Sequence, residues 1–168
     1  MFNPIFYYNI ITASFKNLLV AAYKLSNGND ELGLYNGTPG ASVVFNSTNA
    51  VDGNAGQFIN NINSRITIAD NNAFSFTNGT TDTPFSIKAN IYISVGGVTN
   101  VVFSKWNGSN TNASEYLFYV RSTNRLTLLL FNKVAGGVFI GAEVTTALSG
   151  TTPYNVVATY DGSGVWTG

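Results

Sequence analysis

The sequence contains no cysteine and no histidine. The absence of cysteine excludes disulfides and thiolate metal sites. It does not exclude an extracellular location, because a domain of this length can bury enough surface to fold without cross-links. The absence of histidine removes the most common general base and the most common metal ligand. A serine nucleophile would therefore lack its usual base.

Charged residues are also scarce, at 10% of the chain against about 25% in a typical globular domain. Eight basic and eight acidic residues give a formal net charge of zero, so no basic surface is available for nucleic acid or anionic lipid. Asn, Thr, Ser and Gly fill the polar positions instead. Low charge gives little repulsion between molecules, so we expect other protein chains of an assembly as partners.

Long apolar runs are missing, since no run reaches the roughly 18 residues that a membrane-spanning helix requires. Near the N-terminus, residues 5–15 are apolar in part, but Asn9 and Ser14 interrupt them and no basic residue precedes them. These features are unlike a signal peptide. We interpret residues 1–18 as an N-terminal arm or anchor that docks on this domain or on a neighbour, and residues 19–168 as one domain.

The dominant pattern in the sequence is the alternation of apolar and polar residues. Residues 85–94 (FSIKANIYIS) alternate strictly, which predicts a strand with one buried and one solvated face. Its length and its β-branched residues favour a central strand of an antiparallel sheet, with residues 154–163 as its counterpart. Turn-separated strands and the lack of an amphipathic helix after residue 26 predict an all-β sandwich. Residues 19–25 are predicted as a strand, although their apolar run fits a turn of buried helix equally well. Further strands are predicted at 42–46, 55–59, 64–69, 100–105, 115–121, 125–131 and 138–143, with 26–40 as a surface loop, 78–84 as a turn, and 115–121 and 125–131 forming a hairpin.

Six motifs occur in a characteristic order. They are VAAYKLSNGNDELG at 20–33, GQFINNINSRITIAD at 56–70, FSIKANI at 85–91, VVFSK at 101–105, EYLFYV at 115–120 and VVATYDGS at 156–163. This order resembles the laminin G-like, or concanavalin A-like, jelly-roll domains. The resemblance implies an antiparallel two-sheet jelly-roll sandwich. It says little about function, because such domains bind sugars, proteins or lipids, or serve as spacers.

The sequence departs from that family after the YDGS motif. Members of the family continue with several more strands, whereas this sequence ends at Gly168. We therefore expect either a longer polypeptide or a second chain that supplies the missing strands, because an incomplete sandwich would expose unpaired edges and apolar faces. On this basis residues 1–168 are not expected to exist as a free monomer.

The acidic residues do not form the pair that glycoside hydrolysis needs. Retaining glucanases of this fold use two carboxylates about 5 Å apart. Asp30 and Glu31 are adjacent, so a strand would direct them to opposite faces, and the other acids are isolated in the sequence. We therefore expect no enzymatic activity.

Three acids are candidate Ca²⁺ ligands, because some members of the family bind Ca²⁺ through carboxylates and loop carbonyls. Asp30 and Asp70 lie in turns rich in Asn and Gly, and Asp161 belongs to the YDGS motif. An Asx-turn, in which each carboxylate accepts local backbone N–H groups, explains the same positions without a metal. The sequence leaves both interpretations open.

Aromatic residues beside polar ones are candidates for saccharide binding. Trp106 is followed by a loop rich in Asn and Ser that includes Asn107 and Asn110. An exposed indole with neighbouring amides suits a sugar ring, although the same tryptophan could close one end of the sandwich. Tyr92 and Tyr119 are either binding platforms or cross-strand packing partners.

Together these features predict a non-catalytic recognition or decoration module on an extracellular or virion surface, such as a tail, fibre or capsid appendage, with glycans as ligands. A carbohydrate-binding or adhesion module of a secreted or cell-surface microbial protein is the alternative. A third hypothesis is a purely structural protein that completes a neighbour.

Overall fold

The computed structural model describes residues 19–48, 55–59, 63–94, 96–106, 114–131, 139–150 and 152–164. Within these ranges the chain forms ten β-strands and one short 3-10 helix, and all the strand pairs are antiparallel. The predicted all-β class is therefore confirmed. The described part of the chain holds no helix of the length and apolarity needed to cross a membrane. The strands are β1 Gly37–Pro39, β2 Val43–Asn46, β3 Ala55–Phe58, β4 Ile66–Ile68, β5 Phe85–Ile91, β6 Asn100–Lys105, β7 Tyr116–Val120, β8 Leu126–Phe131, β9 Phe139–Glu143 and β10 Tyr154–Tyr160, and the 3-10 helix is Asn72–Phe74.

The described residues fall into two compact units, the first ending at Ala73 and the second beginning at Phe74. The first unit contains two two-stranded sheets, β1–β4 and β2–β3. The second contains the pair β5–β10 and a four-stranded sheet in the order β6–β7–β8–β9.

In the first unit the strand predicted at 19–25 is absent. The backbone N–H of Ala22 donates to the carboxylate of Asp30 at 2.8 Å, and its carbonyl accepts from the N–H of Glu31 at 2.7 Å. Leu25 then takes a left-handed conformation with φ of 58°. Because the following loop satisfies the polar groups of Ala22, the segment turns back instead of joining a sheet.

The surface loop predicted at 26–40 also differs from the structure. Its last part forms β1, which pairs with β4 from Gly37 opposite Ile68 to Pro39 opposite Ile66. The many turn-forming residues of the segment therefore predicted a loop where the structure has a short strand.

In the second unit β5 confirms the predicted alternation, with half-buried and exposed residues in turn along its length. It pairs with β10 as predicted, from Ile91 opposite Tyr154 to Phe85 opposite Tyr160. The strand ends at Ile91 rather than at residue 94. Among the described residues β10 is its only partner, so the structure does not show β5 as a central strand.

The predicted hairpin is also confirmed, as β7 and β8 with Val120 opposite Leu126. Asn124 closes the turn with φ of 59°, a conformation that asparagine tolerates better than most residues. Its N–H donates to the carbonyl of Arg121 at 2.8 Å.

The core of the second unit lies between the four-stranded sheet and the pair β5–β10. The inward residues of β7 and β8 are buried, and the half-buried face of β5 packs against them. This two-layer packing is consistent with a β-sandwich. Phe76 closes the layer at one end, where its ring centroid lies 5.6 Å from Phe85 and 5.5 Å from Tyr160. The buried core residues are Phe76, Ile93, Tyr116, Phe118, Val120, Leu126, Leu128, Leu130, Val156 and Tyr160.

Candidate binding cleft

A cleft of about 470 Å³ lies in the second unit at the end where β5 begins and β10 ends. Its walls are two turns, residues 77–82 before β5 and residues 161–164 after β10. Its floor is largely apolar and aromatic. The lining residues are Phe76, Leu130, Phe131, Ile140 and Tyr160 on the floor, and Thr77, Gly79, Thr80, Thr81, Asp82, Gly162, Ser163 and Gly164 on the walls.

The first wall is held by hydrogen bonds within its own turn. Thr77 and Asp82 form a β-bridge, and the side-chain oxygen of Asn78 accepts the N–H groups of Thr80 and Thr81, each at 2.8 Å. Gly79 between them has φ of 91°, which other residues rarely adopt. The predicted turn at 78–84 is thus present, and its local bonds hold the exposed threonines at the mouth of the cleft.

The second wall is the YDGS motif. Oδ1 of Asp161 accepts the N–H of Ser163 at 2.9 Å, an Asx-turn. Gly162 has φ of 81°, and a Cβ there would lie 3.0 Å from Cδ of Pro84. A glycine is therefore needed for this turn to lie against the residues that precede β5.

A chain of hydrogen bonds joins the two walls. The N–H of Gly164 donates to the Tyr160 hydroxyl at 2.7 Å, and that hydroxyl donates to Oδ2 of Asp82 at 2.6 Å. Burial and the bond to Asp82 raise the pKa of Tyr160 to about 12, so the phenol keeps its proton. The second oxygen of the half-buried carboxylate, Oδ1, accepts no hydrogen bond from the described residues.

Replacing Tyr160 with Phe should lower the free energy of unfolding by about 1–2 kcal/mol, because it removes a bond to a charged acceptor and leaves the Gly164 N–H without its acceptor. The folded-state pKa is raised, so this stabilisation is complete below the ordinary tyrosine pKa of about 10 and is lost as the pH rises through about 12. Urea unfolding of the wild type and the variant at pH 7 and pH 11 would check both points. If the wild type and the variant differ in unfolding free energy as much at pH 11 as at pH 7, or more, the result would contradict the role given to the Tyr160 hydroxyl.

The chemistry of the cleft suits binding. An aromatic floor packs against C–H groups, while hydroxyls and a carboxylate on the walls bind hydroxyl groups. Among the described residues that line it, Asp82 is the only carboxylate. Glycoside hydrolysis uses two.

The predicted saccharide-binding residues lie near the cleft or away from it. Trp106 is 44% exposed, and its ring centroid lies 4.4 Å from that of Phe131, which lines the cleft. Its indole therefore has both an exposed surface and a packing partner. Tyr92 and Tyr119 are half-buried and are not among the lining residues. The positions predicted at Asn107 and Asn110 lie outside the described residues.

The predicted Ca²⁺ ligands are divided between the two units, with Asp30 and Asp70 in the first and Asp161 in the second. No group of three or more acidic residues lies close enough to hold a metal ion within the described ranges. Asp161 is exposed and bonded to Ser163, and Asp70 is exposed.

Asp30 is buried, with only 4% of its surface exposed. Burial favours protonation, but four backbone N–H groups outweigh it and hold the pKa of this carboxyl below its ordinary value. The four N–H groups direct their partial positive charges at the carboxylate oxygens, where a bound cation would have to lie. The donors are Ala22 and Leu32 to Oδ1 and Leu34 and Tyr35 to Oδ2, at 2.8 to 3.2 Å.

The second unit also contains a buried ion pair that the sequence did not indicate. Glu115 is fully buried and lies 3.1 Å from Nζ of Lys105. It also accepts hydrogen bonds from the Ser75 hydroxyl at 2.9 Å and the Phe76 N–H at 3.2 Å. Nζ of Lys105 also donates to the hydroxyl oxygen of Ser75 at 2.6 Å, so Lys105, Ser75 and Glu115 form one connected network. Burial and the charge of Glu115 raise the pKa of the neighbouring Tyr116.

Comparisons with protein-family models, curated proteins and solved structures found no match to this chain.

Proposed function

We propose that this protein is a non-catalytic recognition module that binds a saccharide in the cleft between the 77–82 and 161–164 turns. The observation that carries the proposal is the composition of the cleft, with an aromatic floor and hydroxyl-bearing walls. Its volume of about 470 Å³ is typical of small-ligand sites. Saccharides present both C–H faces and hydroxyl groups, so they match both parts of this surface.

Two features support binding rather than catalysis. The lining residues that the structure describes include one carboxylate, whereas hydrolysis with retention needs two about 5 Å apart. Both walls are also fixed by their own hydrogen bonds, which reduces the entropy lost when a ligand binds.

The fold and the setting form part of the proposal. A laminin G-like jelly roll is supported by the order of the six motifs and by the two-layer antiparallel packing of the second unit. An extracellular or virion surface, within an assembly of protein chains, is supported by the low content of charged residues.

Blocking the cleft should abolish binding without unfolding the protein. Thr80 is exposed at the tip of the first wall, so Thr80→Tyr would fill the mouth of the cleft while leaving the core intact. We expect ligands found by glycan-array screening of the wild type to bind this variant at least about 10-fold more weakly, as calorimetry would measure.

The matched control is Thr123→Tyr, which makes the same change at an exposed position in the β7–β8 turn, outside the cleft lining. This variant should bind like the wild type. Equal losses in both variants, or undiminished binding by Thr80→Tyr, would rule out the cleft as the saccharide site. A silent array for folded wild-type protein would rule out the function.

A further inference from the structure

We infer that the cleft selects uncharged saccharides and rejects anionic ones such as uronates, sialylated glycans and sulfated glycans, with Asp82 as the selecting residue. This selectivity presupposes the saccharide-binding function and specifies its ligand class.

The charge of the lining is the first observation. Among the described lining residues Asp82 carries the only formal charge, and no lysine or arginine is present. An anionic group entering the cleft would therefore meet a carboxylate and no compensating cation. Like charges at short range in a half-buried site are strongly unfavourable, because solvent screens them less than at an open surface.

The availability of the carboxylate is the second observation. The Tyr160 hydroxyl binds Oδ2 at 2.6 Å and fixes the orientation of the carboxylate. Oδ1 accepts no bond from the described residues and belongs to a side chain that lines the cleft. A carboxylate only accepts hydrogen bonds, so the ligand must bring the proton. A sugar hydroxyl does so in a charge-assisted bond, whereas an ionised carboxylate or sulfate does not.

The surrounding walls do not offset this preference. They contribute hydroxyl groups of threonine and serine and the backbone of three glycines. Hydroxyls can donate to an anion, but each is a neutral donor and supplies no formal charge against that of Asp82.

The test is a glycan array that contains neutral, sialylated and sulfated members. Calorimetry should follow with the best neutral ligand and the same saccharide oxidised at one CH₂OH to a carboxylate. We expect hits among neutral glycans and at least about 10-fold weaker binding of the oxidised form. In Asp82→Asn the neutral ligand should bind more weakly and the two forms should differ by less than about 3-fold.

The matched control is Glu143→Gln, which removes a carboxylate of β9 that is outside the cleft lining and is paired with Arg121 and Arg125. This variant should keep the discrimination of the wild type. Equal or tighter binding of anionic glycans by wild-type protein would overturn the selectivity but leave the saccharide-binding function standing. No binding of any glycan would overturn both. The wild-type comparison decides the question even where a variant does not fold.

Discussion

Replacing Glu115 with Ala is expected to lower the free energy of unfolding by about 3–5 kcal/mol, the cost of removing one partner of a buried ion pair. Glu115 is fully buried. Its removal leaves the Lys105 ammonium, whose side chain is 17% exposed, without its charge partner, and the N–H of Phe76 without this acceptor. Because Phe76 packs between β5 and Tyr160, loss of this anchor should loosen the end of the core under the cleft.

Guanidinium unfolding would measure this loss, with Glu143→Ala as the matched control. Glu143 also pairs with cationic side chains, but its own side chain is 27% exposed and those of Arg121 and Arg125 are 53% and 46% exposed, so solvent screens these pairs more than the pair of Glu115. Exposed pairs stabilise little, so the control should unfold close to the wild type. An equal effect of the two substitutions would contradict the burial argument.

The double variant Glu115→Leu/Lys105→Met tests the electrostatic cause. It replaces both charges with apolar side chains, so no unpaired charge remains buried. It should therefore be more stable than Glu115→Leu alone. A double variant that loses the sum of the two single effects would show that the ion pair contributes no coupling energy.

Asp30→Ala is expected to destabilise the first unit by about 2–4 kcal/mol. This loss of unfolding free energy is smaller than the sum for four unsatisfied N–H groups at about 1–3 kcal/mol each, because water can reach part of this loop. The amides of Ala22, Leu32, Leu34 and Tyr35 donate to this one carboxylate. Hydrogen exchange by NMR should show faster exchange at these four amides. Asp161→Ala is the control, since its carboxylate lies in an exposed turn and its loss should leave stability nearly unchanged.

The pH dependence of the wild type tests the same contact. The backbone bonds hold the folded-state pKa of Asp30 below its ordinary value despite burial, so its stabilisation is complete above about pH 4. It should be lost as the pH falls through the lower, folded-state pKa. In Asp30→Asn the four amides should exchange with a rate that no longer depends on protonation of this group. If Asp30→Asn loses stability at low pH as the wild type does, protonation of another residue is the cause.

The sequence predicted the strands of the second unit better than those of the first. Alternation reports which face of a strand is buried, and β5, β7 and β8 have a simple buried face. It does not report where backbone hydrogen bonds go. The N–H of Ala22 donates to the carboxylate of Asp30, eight residues later, and the apolar run around Ala22 does not indicate this bond.

The cleft was not predictable for a related reason. Asp82 and Tyr160 are 78 residues apart and meet because β5 and β10 pair with Phe85 opposite Tyr160. A shift of one residue in that register would turn Tyr160 to the other face. Glu115 is similar, because an acid at the first position of a predicted strand resembles a solvated strand end until its contact with Ser75 is known. Local patterns indicated both turns of the cleft but not their proximity.

The register of β5 and β10 also means that the residues that would contact a ligand can change while the residues that stabilise the fold stay the same. The half-buried Phe85 and the buried Tyr160 pack at the core end of the cleft, whereas Thr80, Thr81 and Ser163 are exposed and outside the hydrophobic core. Mutations at these three positions can therefore accumulate with little loss of stability. Related proteins with the same pairing could differ in specificity through a few loop substitutions, and a library randomised at these positions offers a direct route to new binders.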